Sequence, residues 1–339
     1  MNSIIQEILH NNCSAELASF KSGYVPPNKG LSGGINPVTN CVLDHLDEFR
    51  KAEMASSAVV LGLLPTILQV LGSTPVETSI LALQRPVLAV LLSAGSPATT
   101  TMKASDLATS FETLVQSGDE RMLAFLLLRW RRASRRYRYL VSAGQYTIVA
   151  IAVGNVVYLG YELGYHAVVA FAPETIFMVP MWTFICVVVH LGAVLIIHLR
   201  VQVQSLSEKR GTWRNGAFRQ ELCPTAHQPA KIIAPRKDTG VSDFLAWVLS
   251  AGLIVNLILG TMIFSSLLFF AMKDALYIAG RYLASTVVCR GILRMELADM
   301  KDRLIFRINT TEEQARSQME TDNKYQAIGH THEVMVGVV

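Results

Sequence analysis

An all-α fold, a polytopic bundle of transmembrane helices, is what this sequence predicts. Charged residues make up only 17% of its 339 residues, whereas a soluble globular chain carries roughly a quarter. Every Asp, Glu, Lys and Arg lies outside four windows, which are 54–73, 139–161, 175–199 and 244–272. A hydrocarbon core of ~30 Å needs about 20 apolar residues at 1.5 Å each, so each window predicts one transmembrane helix.

Composition and motifs also exclude several classes of protein. With 51% apolar residues and five Cys, the chain is neither a mainly disordered protein nor a disulfide-rich secreted scaffold. It contains no phosphate-binding glycine loop, no nucleophile elbow and no His-Glu-x-x-His or Cys-x-x-Cys pair. We therefore predict a non-enzymatic protein with no catalytic residue, no cofactor and no metal ligand.

Two further apolar segments contain arginine, and they decide whether the spans number four, five or six. Residues 78–95 carry Arg85 near their middle, and the segment 275–305 carries Arg281 and Arg290. A central Arg costs about 2.5–3.5 kcal/mol on insertion scales. An interfacial or re-entrant helix whose Arg reaches the lipid headgroups explains both segments at lower cost. For 275–305 the alternatives are an amphipathic surface helix or a fifth span.

The distribution of positive charge predicts the orientation. The segments 74–138 and 200–243 are rich in Lys and Arg, whereas the short loop 162–174 has none. The positive-inside rule places the first two in the cytosol and the loop on the opposite side. Four spans would then put both the N-terminal tail, 1–53, and the polar, disordered tail, 306–339, outside the cytosol. A plasma membrane and an endomembrane fit equally.

The tails carry signals of an extracytoplasmic compartment, although one local feature disagrees. Asn12 and Asn309 each begin an N-glycosylation sequon. Cys13 and Cys41 share the N-terminal tail and either form a disulfide or are two unrelated free thiols. Against this orientation, Arg50 and Lys51 precede the first span directly, where an outside tail should be poor in positive charge. If 78–95 crosses, the N-terminus becomes cytosolic.

Part of the chain resembles a known group of proteins. The run LGLLPTILQVLGSTPVETSILALQRPVLAVLLSAGSP, residues 61–97, is similar to the N-terminal half of an uncharacterised family of multi-pass membrane proteins from filamentous ascomycete fungi. The later stretches FSSLLFFAMKDAL and VVCRGILRMELA are similar in style, so the resemblance covers roughly residues 40–300. It implies a fungal integral membrane protein. It implies no activity and therefore no functional residue.

A dense basic run precedes the second span directly. We predict a juxtamembrane helix over 119–138 that carries six arginines: Arg129, Arg131, Arg132, Arg135, Arg136 and Arg138. Each basic residue near an anionic leaflet contributes about 1 kcal/mol, so these arginines predict contact with anionic lipid headgroups of the cytosolic leaflet. The alternative is that they only set the topology. Nucleic acid is not expected as a partner, because the run is attached to a span. Ser134 follows two arginines, as in basophilic kinase sites, and phosphate there would oppose lipid binding.

Few strongly polar residues lie deep inside the spans. Asn155, His190 and Asn256 are such residues, and they predict either a polar path for a solute or ordinary interhelical hydrogen bonds. We favour hydrogen bonds, because no charged residue lies in these windows. Gly160 and Gly164 have the four-residue spacing of close helix contacts and predict a homo-oligomer. The expected function is thus a scaffold or lipid-interacting membrane protein, and the alternative is a small-solute transporter or channel.

The basic run yields a test of lipid contact. Replacing Arg131, Arg132, Arg135 and Arg136 together by Gln should weaken binding to anionic lipid, because four charges near the leaflet are removed. Liposome flotation with anionic and with neutral vesicles measures the change. Unchanged binding to anionic vesicles would restrict the arginines to a role in topology.

Overall fold

The computed structural model describes residues 2–23, 35–97, 100, 135–205, 221, 231–235 and 240–298. Most of them are helical, which confirms the all-α prediction. The helices are α1 Asn2–Asn11, α2 Ser14–Lys21, α3 Asn36–Asp44, α4 Glu48–Leu71, α5 Pro75–Ala82, α6 Pro86–Gly95, α7 Arg135–His166, α8 Met178–Arg200, α9 Gly240–Ser265 and α10 272–298. Two antiparallel strand pairs join β1 Val168–Val169 to β4 Leu267–Leu268, and β2 Val201–Ser205 to β3 Lys231–Pro235.

Among the described residues, four helices are long and apolar enough to cross a membrane: α4, the part of α7 from Tyr139 onward, α8 and α9. Their outer faces consist of exposed apolar side chains. Examples are Val59 on α4, Ile151 on α7, Phe184 on α8 and Val255 on α9, which are each 63% to 67% exposed. Apolar faces of this length are unfavourable in water and are normal in lipid. The protein is therefore an integral membrane protein.

The two ends of the bundle differ. At one end β1 follows α7, β4 follows α9, and these strands pair beside the N-terminal helices α1–α3, which contain a disulfide between Cys13 and Cys41. We call this the disulfide end. At the other end α7 begins at Arg135, α8 ends at Arg200, and β2 pairs with β3 before α9 begins. We call this the basic end.

The helix α10 packs lengthwise against the other helices of the bundle and buries one face. Buried side chains recur along it from Ala275 to Leu297. It runs antiparallel to α7, since Arg281 contacts Asn155 near the middle of α7, whereas Glu296 contacts Gln145 near the basic end. This position fits the alternative of a fifth span, although α10 is not among the four described helices that are long and apolar enough to cross by themselves. The described part of α10 ends at the basic end, opposite to α1, so a fifth span would differ from the expectation that both tails lie on one side, which stays a prediction.

The ambiguous segment 78–95 forms a helical hairpin, made of α5 and α6. At 8 and 10 residues, α5 and α6 are each too short to cross. The chain returns to its starting point, because the Thr100 hydroxyl donates hydrogen bonds to the carbonyls of Gln69 and Gly72, where α4 ends. The break falls at Arg85, whose backbone (φ −133°, ψ 74°) is not helical. Pro86 accounts for this break, since a proline disfavours helical geometry in the residue before it.

The hairpin lies inside the protein. Its apolar side chains Leu81, Leu88 and Leu92 are almost completely buried and share one apolar core with residues of α7, α8, α9 and α10. A second core, which includes Leu61, Trp182 and Phe264, lies toward the disulfide end. Of the alternatives for 78–95, an interfacial helix does not fit this helix pair, because neighbouring helices enclose it.

Close helix approach at Gly260 provides a test of this packing. A Cβ atom at Gly260 would lie 2.8 Å from Cε2 of Trp182, whereas nothing lies within 4 Å of the corresponding position at Gly252 on the same helix. Gly260→Ala should therefore lower the free energy of unfolding by about 1–3 kcal/mol through overpacking. Thermal unfolding in detergent measures the loss. The matched control is Gly252→Ala, and an equal effect of both variants would contradict the packing of α9 on α8.

Candidate functional sites

A buried ion pair joins the hairpin to the last helix. Arg85 is 0% exposed, and its Nη1 lies 2.9 Å from Oε1 of Glu296, which is itself buried. The same guanidinium donates from Nη1 to the Gln145 side chain (2.9 Å), from Nη2 to the Ser142 hydroxyl (2.7 Å) and from Nε to the Glu221 carbonyl (3.0 Å). The hairpin turn is thereby bound to α7, α10 and the segment that contains Glu221.

The positions of Arg85 and Glu296 in the sequence explain where this ion pair forms. Arg85 lies at the break of the hairpin, and Glu296 lies near the end of α10, so both come from segments outside the four charge-free windows. Removing an ion from water costs several kcal/mol, so a buried pair needs further hydrogen bonds around it. Gln145 meets that need by donating to Glu296 as well. The expectation that Arg85 reaches the lipid headgroups is therefore wrong, because a carboxylate on another helix binds it inside.

Glu221 lies beside this pair and holds the beginning of α6. Its Oε1 accepts a hydrogen bond from the backbone N–H of Leu88 (3.0 Å) and another from the Tyr146 hydroxyl (2.7 Å). The Arg85 guanidinium lies over the Tyr146 ring, 5.4 Å from its centroid. Glu221 lies between β2 and β3 in the sequence. Its carboxylate thus occupies the N-terminal turn of α6, which begins 135 residues earlier at Pro86.

A second charged cluster lies midway along α7 and α10. The Arg281 Nε donates to Oδ1 of Asn155 (2.8 Å), and Arg281 lies 3.6 Å from the Glu162 carboxylate. The guanidinium stacks on Tyr158 and Tyr277, 5.1 and 5.6 Å from their ring centroids. The expectation that no charged residue joins the polar groups of the spans is therefore wrong for Asn155.

The other two polar residues predicted inside the spans take different partners. His190 on α8 hydrogen-bonds through Nδ1 to the Thr78 hydroxyl on α5 (2.8 Å). The side-chain amide of Asn256 on α9 donates to the Cys186 sulfur, and the backbone carbonyl of Asn256 accepts from the indole N–H of Trp182. These bonds connect neighbouring helices, as the favoured interpretation requires.

Three buried polar atoms in the described helices have no hydrogen-bond partner. They are Oδ1 of Asn256, the Tyr282 hydroxyl and the Thr286 hydroxyl. Such atoms are costly in an apolar interior unless water or a solute binds them. They mark a polar region between α9 and α10.

A cleft of about 710 Å³ lies at the disulfide end, between the N-terminal helices and the ends of α7 and α10. Most of its lining is apolar or aromatic, and its acidic residues are Glu162 and Asp274. The remaining side chains are Ile5, Leu9, Leu17, Phe20, Ile35, Val38, Thr39, Val42, Tyr158, Tyr161, Leu163, His166, Val168, Phe269, Phe270, Tyr277 and Ile278. The cleft can therefore accept an apolar chain, with acidic groups beside it.

The disulfide fixes the outer wall of this cleft. Cys13, between α1 and α2, is bonded to Cys41 on α3, and Val42, Leu46 and Met54 form a small core around it. Of the two interpretations of these cysteines, the structure has the disulfide. His45 lies near both sulfur atoms, but bonded sulfurs offer no thiolate to a metal.

The remaining predicted residues are placed as follows. Arg129, Arg131, Arg132, Ser134 and Asn309 lie outside the described residues, and Arg135, Arg136 and Arg138 lie in the first turn of α7, where only the backbone is described. Asn12 is exposed at the disulfide end. Gly160 and Gly164 face Pro180 and Ile176 of the same chain. A homo-oligomer through these glycines stays a prediction.

Comparison with known proteins gives no family assignment. No family model, curated protein or solved structure matches the chain. The resemblance to fungal membrane proteins therefore stays a prediction, and the function has to be inferred from the residues.

The buried pair predicts an asymmetric response to mutation. Arg85→Met should lower the free energy of unfolding by about 3–5 kcal/mol, because it leaves the Glu296 carboxylate buried without its cation. The double variant Arg85→Met with Glu296→Leu should recover much of that loss, since neither charge is then buried. Chemical unfolding in detergent gives the double-mutant cycle.

The control for this cycle is an exposed pair. Lys51 lies 2.9 Å from Glu48, which is 88% exposed, and Lys51→Met should cost less than about 1 kcal/mol. If Arg85→Met were as mild as Lys51→Met, the ion pair would not stabilise the hairpin.

Proposed function

We propose that this multi-pass membrane protein is a non-enzymatic, lipid-interacting protein whose cleft at the disulfide end binds an amphiphile with a cationic head. The observation that carries the proposal is the cleft itself. Its apolar lining lies beside outward-facing tyrosines of α7 and α10, among them Tyr158, Tyr161 and Tyr277. Tyrosines of this kind concentrate where the acyl region of a membrane meets its headgroups, so an amphiphile can reach the cleft from the bilayer.

The charges beside the cleft favour a cationic head. Glu162 and Asp274 are acidic, and neither Lys nor Arg is among the described residues that line the cleft. Arg281 shares Glu162, whereas Asp274 has no side-chain partner among the described residues. Amines and quaternary ammonium groups bind to carboxylates and to aromatic faces. We therefore propose a zwitterionic choline or ethanolamine lipid, or a cationic amphiphile, as the ligand.

The basic run at the opposite end supports lipid interaction in a second place. Arg129 to Arg138 lie directly before the part of α7 that spans the membrane. Arginines in that position attract an anionic leaflet. The two regions would contact the two leaflets, one by an apolar cleft and the other by charge.

The proposal predicts a selective effect of Asp274→Asn. The delipidated protein should bind lysophosphatidylcholine more tightly than lysophosphatidylglycerol, and Asp274→Asn should weaken lysophosphatidylcholine binding about fivefold, which corresponds to ~1 kcal/mol of cation contact. Native mass spectrometry with titrated lipid measures both affinities.

The control variant is Glu48→Gln. Glu48 also lies in the first turn of a helix at the disulfide end, but it does not line the cleft. It should leave binding unchanged. Equal affinity for the two lysolipids, or an equal loss in both variants, would refute the proposed headgroup.

A small-solute transporter or channel is the second candidate. The observation that favours it is the group of unpartnered buried atoms on Asn256, Tyr282 and Thr286, because a polar path needs such groups. Solute flux into proteoliposomes that falls on Asn256→Leu, while lysolipid binding is unchanged, would favour this candidate over the first.

A further inference from the structure

One face of α10 carries charges of both signs. Asp274, Tyr277 and Arg281 are spaced by three and four residues, so they lie on the same side of the helix. The acidic and the basic residue are two turns apart, about 10 Å along the helix axis. Two exposed apolar residues, Ala284 and Val288, continue this face toward the basic end. From the disulfide end inward, the order on α10 is therefore acid, aromatic ring, base and apolar surface.

The helix α7 supplies the opposite wall. The guanidinium of Arg281 lies against the rings of Tyr158 on α7 and Tyr277 on α10, and it pairs with Glu162 on α7. These three partners line the cleft at the disulfide end, as does Asp274. Arg281 therefore lies at the inner edge of the cleft, whereas Asp274 lies nearer the disulfide end, in the first turn of α10.

The guanidinium of Arg281 retains donors for an anion. Its Nε and Nη2 both donate to Oδ1 of Asn155. Its Nη1 lies 3.6 Å from the Glu162 carboxylate, which is longer than a hydrogen bond, and makes no hydrogen bond within the described residues. The side chain is 23% exposed. Because the planar guanidinium carries five N–H donors and matches phosphate geometry, its Nη1 can bind a phosphate oxygen.

We propose that the ligand of the cleft is a zwitterionic phospholipid, with its ammonium group at Asp274 and its phosphate at Nη1 of Arg281. This inference rests on the proposed function and narrows its ligand, because a cationic amphiphile without a phosphate leaves Arg281 unused. In a choline or ethanolamine phospholipid, two carbons separate the ammonium from the phosphate, and the acyl chains follow the phosphate. The face of α10 has the same order, so ammonium, phosphate and acyl chain each meet a complementary group.

Two ligands that differ in the phosphate test this arrangement. Hexadecylphosphocholine and hexadecyltrimethylammonium share the alkyl chain and the quaternary ammonium, and only the first carries a phosphate. The delipidated full-length protein should bind hexadecylphosphocholine more tightly. Arg281→Gln should weaken that binding about tenfold, because charge-assisted hydrogen bonds are lost. The affinity of the same variant for hexadecyltrimethylammonium should stay equal or rise, because Glu162 no longer shares its charge with Arg281. Native mass spectrometry with titrated ligand measures these affinities.

Two control variants separate a phosphate contact from a change in the shape of the cleft. Arg290 lies on the same helix, donates to the Leu71 carbonyl and does not line the cleft, so Arg290→Gln should alter the affinity for neither ligand. Asp274→Asn should weaken both ligands, because both carry the ammonium group. An effect of Arg281→Gln on the phosphate ligand alone supports the proposal.

Other results overturn it. If Arg281→Gln weakens both ligands equally, or weakens neither, Arg281 only maintains the shape of the cleft. If this variant does not fold, the unsubstituted protein decides, and hexadecyltrimethylammonium bound as tightly as hexadecylphosphocholine rejects the phosphate contact. In each of these cases the proposed function survives as long as Asp274→Asn weakens the binding of both ligands. Binding of neither ligand to the unsubstituted protein would refute the proposed function as well.

Discussion

A polar group enclosed by apolar helices in a membrane must find its partner inside the protein, and this requirement determines the centre of the structure. Arg85 meets it most completely. Its guanidinium is enclosed by Glu296, Gln145, Ser142 and the carbonyl of Glu221. Because a buried charge without its partner costs several kcal/mol, the hairpin turn, the start of α7 and the end of α10 have to remain together.

The rest of the bundle follows from this contact. The hairpin can enter between the spans without crossing, because Pro86 breaks the helix at Arg85 and Thr100 binds the end of α4. The helix α10 can carry several charges and still run beside α7, because Arg281 and Glu296 find polar partners on that helix. Arginines that are costly in an isolated span are thus stable in the assembled bundle.

The sequence predicted the four main spans well, because a stretch without charge is a local property and each of these helices meets lipid along one face. The same criterion could not place Arg85 or α10, since partners in space decide whether a charge is costly. Arg85 beside Pro86, in an apolar stretch, was the signal of a buried pair, but nothing local identifies Glu296 as its partner. The cleft at the disulfide end could not be predicted either, because its walls come from segments far apart in the sequence, the N-terminal helices and the ends of α7 and α10.

Two independent features favour the same predicted orientation of the bundle. A disulfide persists in an oxidising compartment, and the Cys13–Cys41 bond lies at one end. Arginines concentrate on the cytosolic side, and the helix that begins at Arg135 places its basic residues at the other end. Arg50 and Lys51, which seemed to contradict this orientation, are paired with Glu53 and Glu48. This pairing does not remove them from the positive-inside rule, which counts basic residues and not net charge. From the disulfide and the arginines of α7 we nevertheless predict that the disulfide end faces away from the cytosol and the basic end faces it.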